Sequence, residues 1–133
     1  MTEQSLLLIK PNAVVHRHVG HVISIIEEHG FVITNIKVIR FTRNLAERFY
    51  EMHRGKEFFE RLVSFMCSAD TVAVLLEKRN AVEELRELIG EVDPEKRKPG
   101  SIRHLYAEGI TENAVHASDT IAHAIREIKI VFG

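Results

Sequence analysis

Apolar positions along the chain fall into runs, stripes and one long gap. Leu6–Ile9 is a short apolar run stopped by "KPN", the pattern of a buried strand that ends in a turn. Val19, Val22, Ile23 and Ile26 then recur at helical spacing, and Gly30 closes that helix. "FVITNIKVIRF" is rich in β-branched residues and predicts a strand. Leu45, Phe49 and Met52 make one helical stripe and Phe58, Leu62, Phe65 and Met66 a second, so two short helices joined around Gly55 are expected. "TVAVLLE" is a continuous apolar run of strand length, suited to a central strand. Asn80 can cap a helix that turns Val82, Leu85 and Ile89 inward. From Val92 to Glu112 periodicity fails, and Pro94, Pro99, Gly100 and Gly109 mark a long irregular loop. Ser118 or Asp119 can cap a last helix carrying Ile121, Ala124, Ile125 and Ile128, after which "IVF" predicts a closing strand.

This order of elements suits an α+β fold: a ferredoxin-like βαββαβ antiparallel sheet with helices on one face and a long irregular loop. No repeat, linker or low-complexity segment divides it, so residues 1–133 are expected to form a single domain. With 45% hydrophobic and 28% charged residues and a formal net charge of −1, the chain has no basic excess to attract nucleic acid or membrane surfaces broadly. Any anion site must therefore be local. The single cysteine, Cys67, excludes an internal disulfide framework and fits a reducing compartment. No signal-like N-terminus or membrane-length apolar stretch is present, and a cytoplasmic location is expected.

Candidate chemistry centres on a few residues. Lys10 stands at a strand end, where site residues and solvated charges both occur. Arg86 lies about 40° from Val82 and about 60° from Ile89 on a helical wheel, inside the apolar sector. It either snorkels to the edge or faces an anion in a cleft. Arg103 follows a Pro-Gly bend in "KPGSIRH". Two arginines and a lysine would suit a polyphosphate if they converged. Phe58 and Tyr50 sit at the edges of their stripes, either packing or offering a ring face and a hydroxyl. The "HRHVGH" cluster (His16, His18, His21) matches no zinc template. His116, in "NAVHASD", is either a polar loop residue or a nucleophile. A neutral imidazole can attack phosphorus if its other nitrogen is held, and Ser118, Asp119 and Glu127 are the nearby acceptors.

Together these residues resemble the nucleoside diphosphate kinase family over Ser5 to Phe132. The family's Asn-x-x-His-(Gly/Ala)-Ser-Asp pattern stands here as "NAVHASD", its strand-end "IKP" at Ile9–Pro11, its paired-helix pattern as "FYEMHRGKEFF" and its "KPG(S/T)IR" segment as "KPGSIR". The resemblance implies that His116 is the phosphorylated nucleophile, with Tyr50 beside it and Glu127 and Ser118 orienting it. Lys10 would contact the transferring phosphate and the ribose, and Asn113 the sugar 3′ oxygen. Arg86 and Arg103 would bind phosphates, while Phe58 stacks on the base between Leu62 and Ile110. The implied reaction is ping-pong transfer of a γ-phosphate between nucleoside di- and triphosphates. Mg2+ would be carried by the nucleotide phosphates and not by a protein metal site. A homo-oligomer (hexamer, tetramer or dimer) is implied, with no membrane and no obligatory nucleic-acid partner.

Departures from the family pattern stand beside the match. Val92 occupies the place of a phosphate-binding threonine, at an expected cost on the order of 1 kcal/mol of phosphate binding. His104, Leu105 and Tyr106 replace a small residue and Asp-Phe, and "SADT" with Asp70 replaces "SGPV". The competing reading is a catalytically weakened nucleotide-binding or regulatory module of the same fold, which would bind nucleotide without forming phosphohistidine.

Overall fold

The computed structural model describes residues 2–133. Among these residues four strands, β1 (Thr2–Ile9), β2 (Val32–Ile39), β3 (Thr71–Arg79) and β4 (Val115–Ala117), form one sheet in the order β2-β3-β1-β4. Every neighbouring pair is antiparallel. Among the described residues seven α-helices connect or follow the strands: α1 (Pro11–Val15), α2 (Val19–Glu28), α3 (Arg43–Phe49), α4 (Phe59–Met66), α5 (Ala81–Ile89), α6 (Ile102–Tyr106) and α7 (Ile121–Phe132). This is the α+β, ferredoxin-like arrangement expected from the order of elements.

The helices, expected on one face, cover both. Side chains alternate across a strand. Leu7 and Ile9 of β1, with Val72, Val74 and Leu76 of β3, pack against Val22, Ile25 and Ile26 of α2 and Leu85 and Ile89 of α5. Leu6, Leu8 and Ala73 face the other way, onto Phe49, Leu62, Val63, Met66 and Val131 from α3, α4 and α7. A strand buried on both sides reads as an unbroken apolar run, and "LLLI" and "TVAVLL" are such runs.

Several local expectations change. "IVF" is not a strand: α7 continues to Phe132, because Val131 has to meet the Leu6–Leu8 face and packing overrides β propensity. The fourth strand comes before that helix, as three residues centred on His116. Thr120, not Ser118 or Asp119, caps α7, its Oγ1 accepting from the His123 amide at 3.0 Å. Asn80 sits at the start of α5 with φ +56° and contributes no side-chain cap. Glu3 of β1 reaches across instead and accepts from the Val82 amide at 3.1 Å. "PNAVV" opens a short helix with Pro11 in its first turn, where a missing N–H costs nothing. The 92–112 loop contains α6, capped by Ser101 Oγ accepting from the His104 amide.

Candidate active site

His116 lies at the middle of β4, opposite Leu8 of β1. The backbone reaches it through Ala114, held at φ +74° by the Lys10 amide, which donates to the Ala114 carbonyl at 2.8 Å. A non-glycine residue there is strained, and such strain concentrates at sites. The His116 side chain is 19% exposed. Its Nε2 and Glu127 Oε1 of α7 lie 2.8 Å apart, and Ser118 Oγ donates to the same oxygen at 2.8 Å. Nδ1 makes no hydrogen bond among the described residues and is not among the buried polar atoms lacking a partner, so it opens towards solvent. Burial works against the charge of Glu127, but the His116 ring and the Ser118 hydroxyl hold its carboxyl below the usual range. Ser118 therefore reaches the imidazole only through Glu127. Asp119 turns away and pairs with His123.

Aromatic rings wall the imidazole. Phe49 meets it edge-on at 5.1 Å between centroids and Tyr50 at 6.1 Å. The end of α3 that carries both is tied to α7, where the Arg126 guanidinium donates to the Arg48 and Phe49 carbonyls. The Tyr50 hydroxyl is buried without a partner, and burial together with the Glu127 charge pushes its pKa up. Tyr50 continues into His53, and His53 into Phe58.

Of the three cations, Lys10 and Arg86 each lie within electrostatic reach of Arg103. Lys10 is buried, and its ammonium has no hydrogen-bond partner among the described residues. Burial first, and the Arg103 charge second, lower its pKa to about 7, with Glu112 opposing. Arg103 donates from Nη1 to the Gly90 carbonyl at 3.0 Å and from Nη2 to Val115 at 2.9 Å. Burial and the charges of Arg86 and Arg97 bring its pKa down to about 10. Arg86 is exposed, with no bonded carboxylate among the described residues, on the wall of a cleft of about 1100 Å3. Val92, Arg103, Ile110 and Asp119 line the same cleft. Arg86 thus stands exposed on the cleft wall, within electrostatic reach of Arg103.

Phe58, Leu62, Lys10, Asn113, Tyr50 and His116 do not line that cleft. Phe58 is 44% exposed at the start of α4, with Lys56 Nζ 5.8 Å from its ring centroid, while Leu62 is buried one turn on. Arg61 of the same helix donates to Glu112 at 3.0 Å, joining α4 to the segment that carries Ile110 and Asn113. Asn113 donates to the Ile110 carbonyl at 2.8 Å, leaving its Oδ1 buried and unpartnered. Besides Tyr50 Oη and Asn113 Oδ1, Arg103 Nε and His53 Nδ1 are also buried without partners. Buried polar atoms are normally satisfied. Two of these four, on Tyr50 and His53, belong to side chains that neighbour His116. Phe49, His53, Glu112 and Arg97 belong to this neighbourhood and escaped the sequence reading. The aromatic edge at Phe49 was legible only as a core stripe, and nothing in the sequence signalled the other three.

The family profile described as "Nucleoside diphosphate kinase" matches residues 3–133. A nucleoside diphosphate kinase of Actinobacillus pleuropneumoniae serotype 3 is 48% identical over 132 residues, covering 99% of this chain and 96% of that protein. One from Methanocaldococcus jannaschii is 40% identical over 132 residues, covering 99% and 94%. Among solved structures, the Aquifex aeolicus nucleoside diphosphate kinase superimposes with a TM-score of 0.96 at 38% identity, over 100% of this chain and 96% of that one. The Encephalitozoon cuniculi enzyme does so with a TM-score of 0.95 at 31% identity, over 98% and 89%. A profile match across nearly the whole chain and relatives of this identity and coverage have one meaning: the chain belongs to the nucleoside diphosphate kinase family.

Proposed function

We propose that the protein transfers the γ-phosphate of a nucleoside triphosphate to a nucleoside diphosphate, with His116 as the covalent carrier, in one domain spanning residues 1–133. The observation that supports this most is the division of labour on one ring. Nε2 is engaged by a buried carboxylate and Nδ1 carries no hydrogen bond among the described residues, while Lys10 and Arg86 both lie within electrostatic reach of Arg103. Glu127 fixes the tautomer with the proton on Nε2, so the Nδ1 lone pair is the nucleophile. In the first half-reaction Nδ1 forms a bond to the γ-phosphorus while the bond to the β–γ bridging oxygen breaks, and the diphosphate leaves with that electron pair. In the second, a β-phosphate oxygen of another diphosphate attacks the same phosphorus, and the N–P electrons return to Nδ1. One site serves both halves, so turnover is ping-pong.

The transferring group is loose and metaphosphate-like, and the protein's part is to position it and stabilise its charge. Lys10 and Arg103 would meet the phosphoryl oxygens near His116, with Arg86 on the outlying phosphates. Asn113 would turn its unpartnered Oδ1 to the sugar, and the Tyr50 hydroxyl stands next to the imidazole. Phe58 would stack on the base, flanked by Leu62 and Ile110; every base offers a π face, so such a site tolerates many bases. Val92 offers the phosphates a methyl where a hydroxyl would donate. Mg2+ would arrive on the nucleotide, with Asp119 among the carboxylates that line the cleft; bound there, the ion would neutralise phosphate charge. No described helix is long and apolar enough to cross a membrane. A cytoplasmic homo-oligomer is the setting we propose, joined through the open edge of β2.

The test is direct. Purified protein incubated with a γ-labelled triphosphate should gain one acid-labile phosphoryl group and pass it to a diphosphate. His116→Gln should lose both steps while still binding ADP. Labelling that survives in this variant removes His116 from the mechanism.

A further inference from the structure

Between Gly90, which ends α5, and Val115, which opens β4, the chain makes an excursion whose two arms, 90–97 and 107–115, share no backbone hydrogen bond among the described residues. Guanidinium groups bridge them instead. Arg103 forms an inner rung, donating to Gly90 on one arm and Val115 on the other. Arg97 forms an outer rung. Its Nε donates to the Glu91 carbonyl at 3.2 Å, and its Nη2 to Val92 at 2.8 Å and Gly109 at 3.2 Å. Val92 and Ile110 line the cleft, and the carbonyls Arg97 holds belong to Val92 itself and to the residue before Ile110. Arg97 is not part of the lining, so it works on the cleft through the main chain.

The two rungs differ in their other duties. Arg103 stands beside Lys10 and Arg86, keeps a buried Nε without a partner, and is a phosphate ligand in the proposed reaction. A phosphate that recruits its guanidinium competes with the Gly90 and Val115 carbonyls. Arg97 carries no such load. We propose that Arg97 is a positioning residue for nucleotide binding: it clamps the arms at the cleft mouth, through three carbonyls, and keeps Val92 and Ile110 at bound-state spacing. The inference rests on the reading of the cleft as a nucleotide site.

A planar fork can satisfy three carbonyls from fixed positions, whereas a lysine is a point charge on a flexible stem. Arg97→Lys therefore separates clamping from electrostatic steering, and Arg97→Met removes both while keeping an apolar stem. Both variants should raise KM for the triphosphate and the diphosphate, and the Kd for ADP, roughly five- to thirtyfold, as expected for loss of one or two hydrogen bonds. Maximal turnover and the rate of His116 labelling at saturating ATP should stay within about twofold, since the reacting centre is untouched. Circular dichroism and gel filtration check that the fold is kept; if the Met variant loses it, the Lys variant alone decides. KM unchanged in either variant, full rescue by lysine, or a kcat that falls as far as KM rises would each overturn the clamp. A wild-type protein that neither binds ADP nor accepts phosphate would overturn the site reading first, and the clamp with it.

Discussion

Lys10 is a buried amine whose charge the fold disfavours. Its pKa of about 7, against 10.5 for an ordinary lysine, means that at pH 8 the folded, nucleotide-free protein holds it mostly neutral. The unfolded chain would hold it charged. Between about pH 7 and 10.5 the unfolded state therefore binds the extra proton, so this group makes folding more favourable as pH rises through that window. Below it, the buried charge opposes folding in full. Phosphate oxygens reverse the preference, because an opposite charge within a few ångströms favours the ammonium. ADP binding at pH 8 should then take up close to one proton, seen as a dependence of calorimetric enthalpy on buffer ionisation heat. Affinity should weaken as pH climbs above 7. Lys10→Met should abolish the uptake, and binding heat that is equal in all buffers would contradict this account of Lys10. The residue was visible in the sequence as a strand-end lysine before a proline. Its neutrality was not, because the charge that helps to lower its pKa comes from Arg103 and the partner of its amide is Ala114, both far along the chain.

At the scale of elements, the pairing of β4 with α7 decides what His116 can do. Three residues are too few to show a two-residue period, and "VHA" exists as a strand only because β1 offers it a ladder. "IVF" misled for the opposite reason, since β-branched residues were recruited into a helix by the apolar face below them. The long helices and the central strands, whose periodicity spans several turns or a continuous run, were legible. The caps were less so, since Glu3 stabilises α5 from another element altogether. The alignment of α7 places Glu127 under the imidazole, with Ser118, Asp119 and the Tyr50 ring as the other polar neighbours. Its folded-state pKa is depressed, so its contribution to stability is complete above the unfolded value and fades as pH falls through the folded one. Glu127→Gln should cost about 1.5–3 kcal/mol near neutral pH, the range for a hydrogen bond to a charged group. The variant should also show a flatter loss of stability below pH 4.5 than the parent protein. Urea titrations at stepped pH would show this, and parallel curves for the two proteins would mean that the carboxylate carries no such weight.

For the whole molecule, the sheet has two very different ends. β1 and β3 are sealed on both faces, and β4 packs against α5 and is bonded by Arg103 and Glu127, but β2 is an edge strand with most of its residues exposed. Val38 is 65% exposed and Ile36 45%, and both project to the α2 side of the sheet, in register with Val72 and Val74. An open edge bearing apolar side chains is a template for pairing, and proteins normally cover or charge it. Here only Lys37 intervenes along the stretch from Ile36 to Ile39. An antiparallel strand can pair with its own copy across a two-fold axis, so the occupant that fits without further assumptions is a second copy of this chain. Val38→Lys would set like charges against each other across that axis. The parent protein should sediment as an oligomer, and the variant should shift towards monomer at micromolar concentration while still forming phosphohistidine, because no residue of β2 belongs to the proposed site. A parent protein that is monomeric, or a variant whose mass is unchanged, would place the contact elsewhere or remove it.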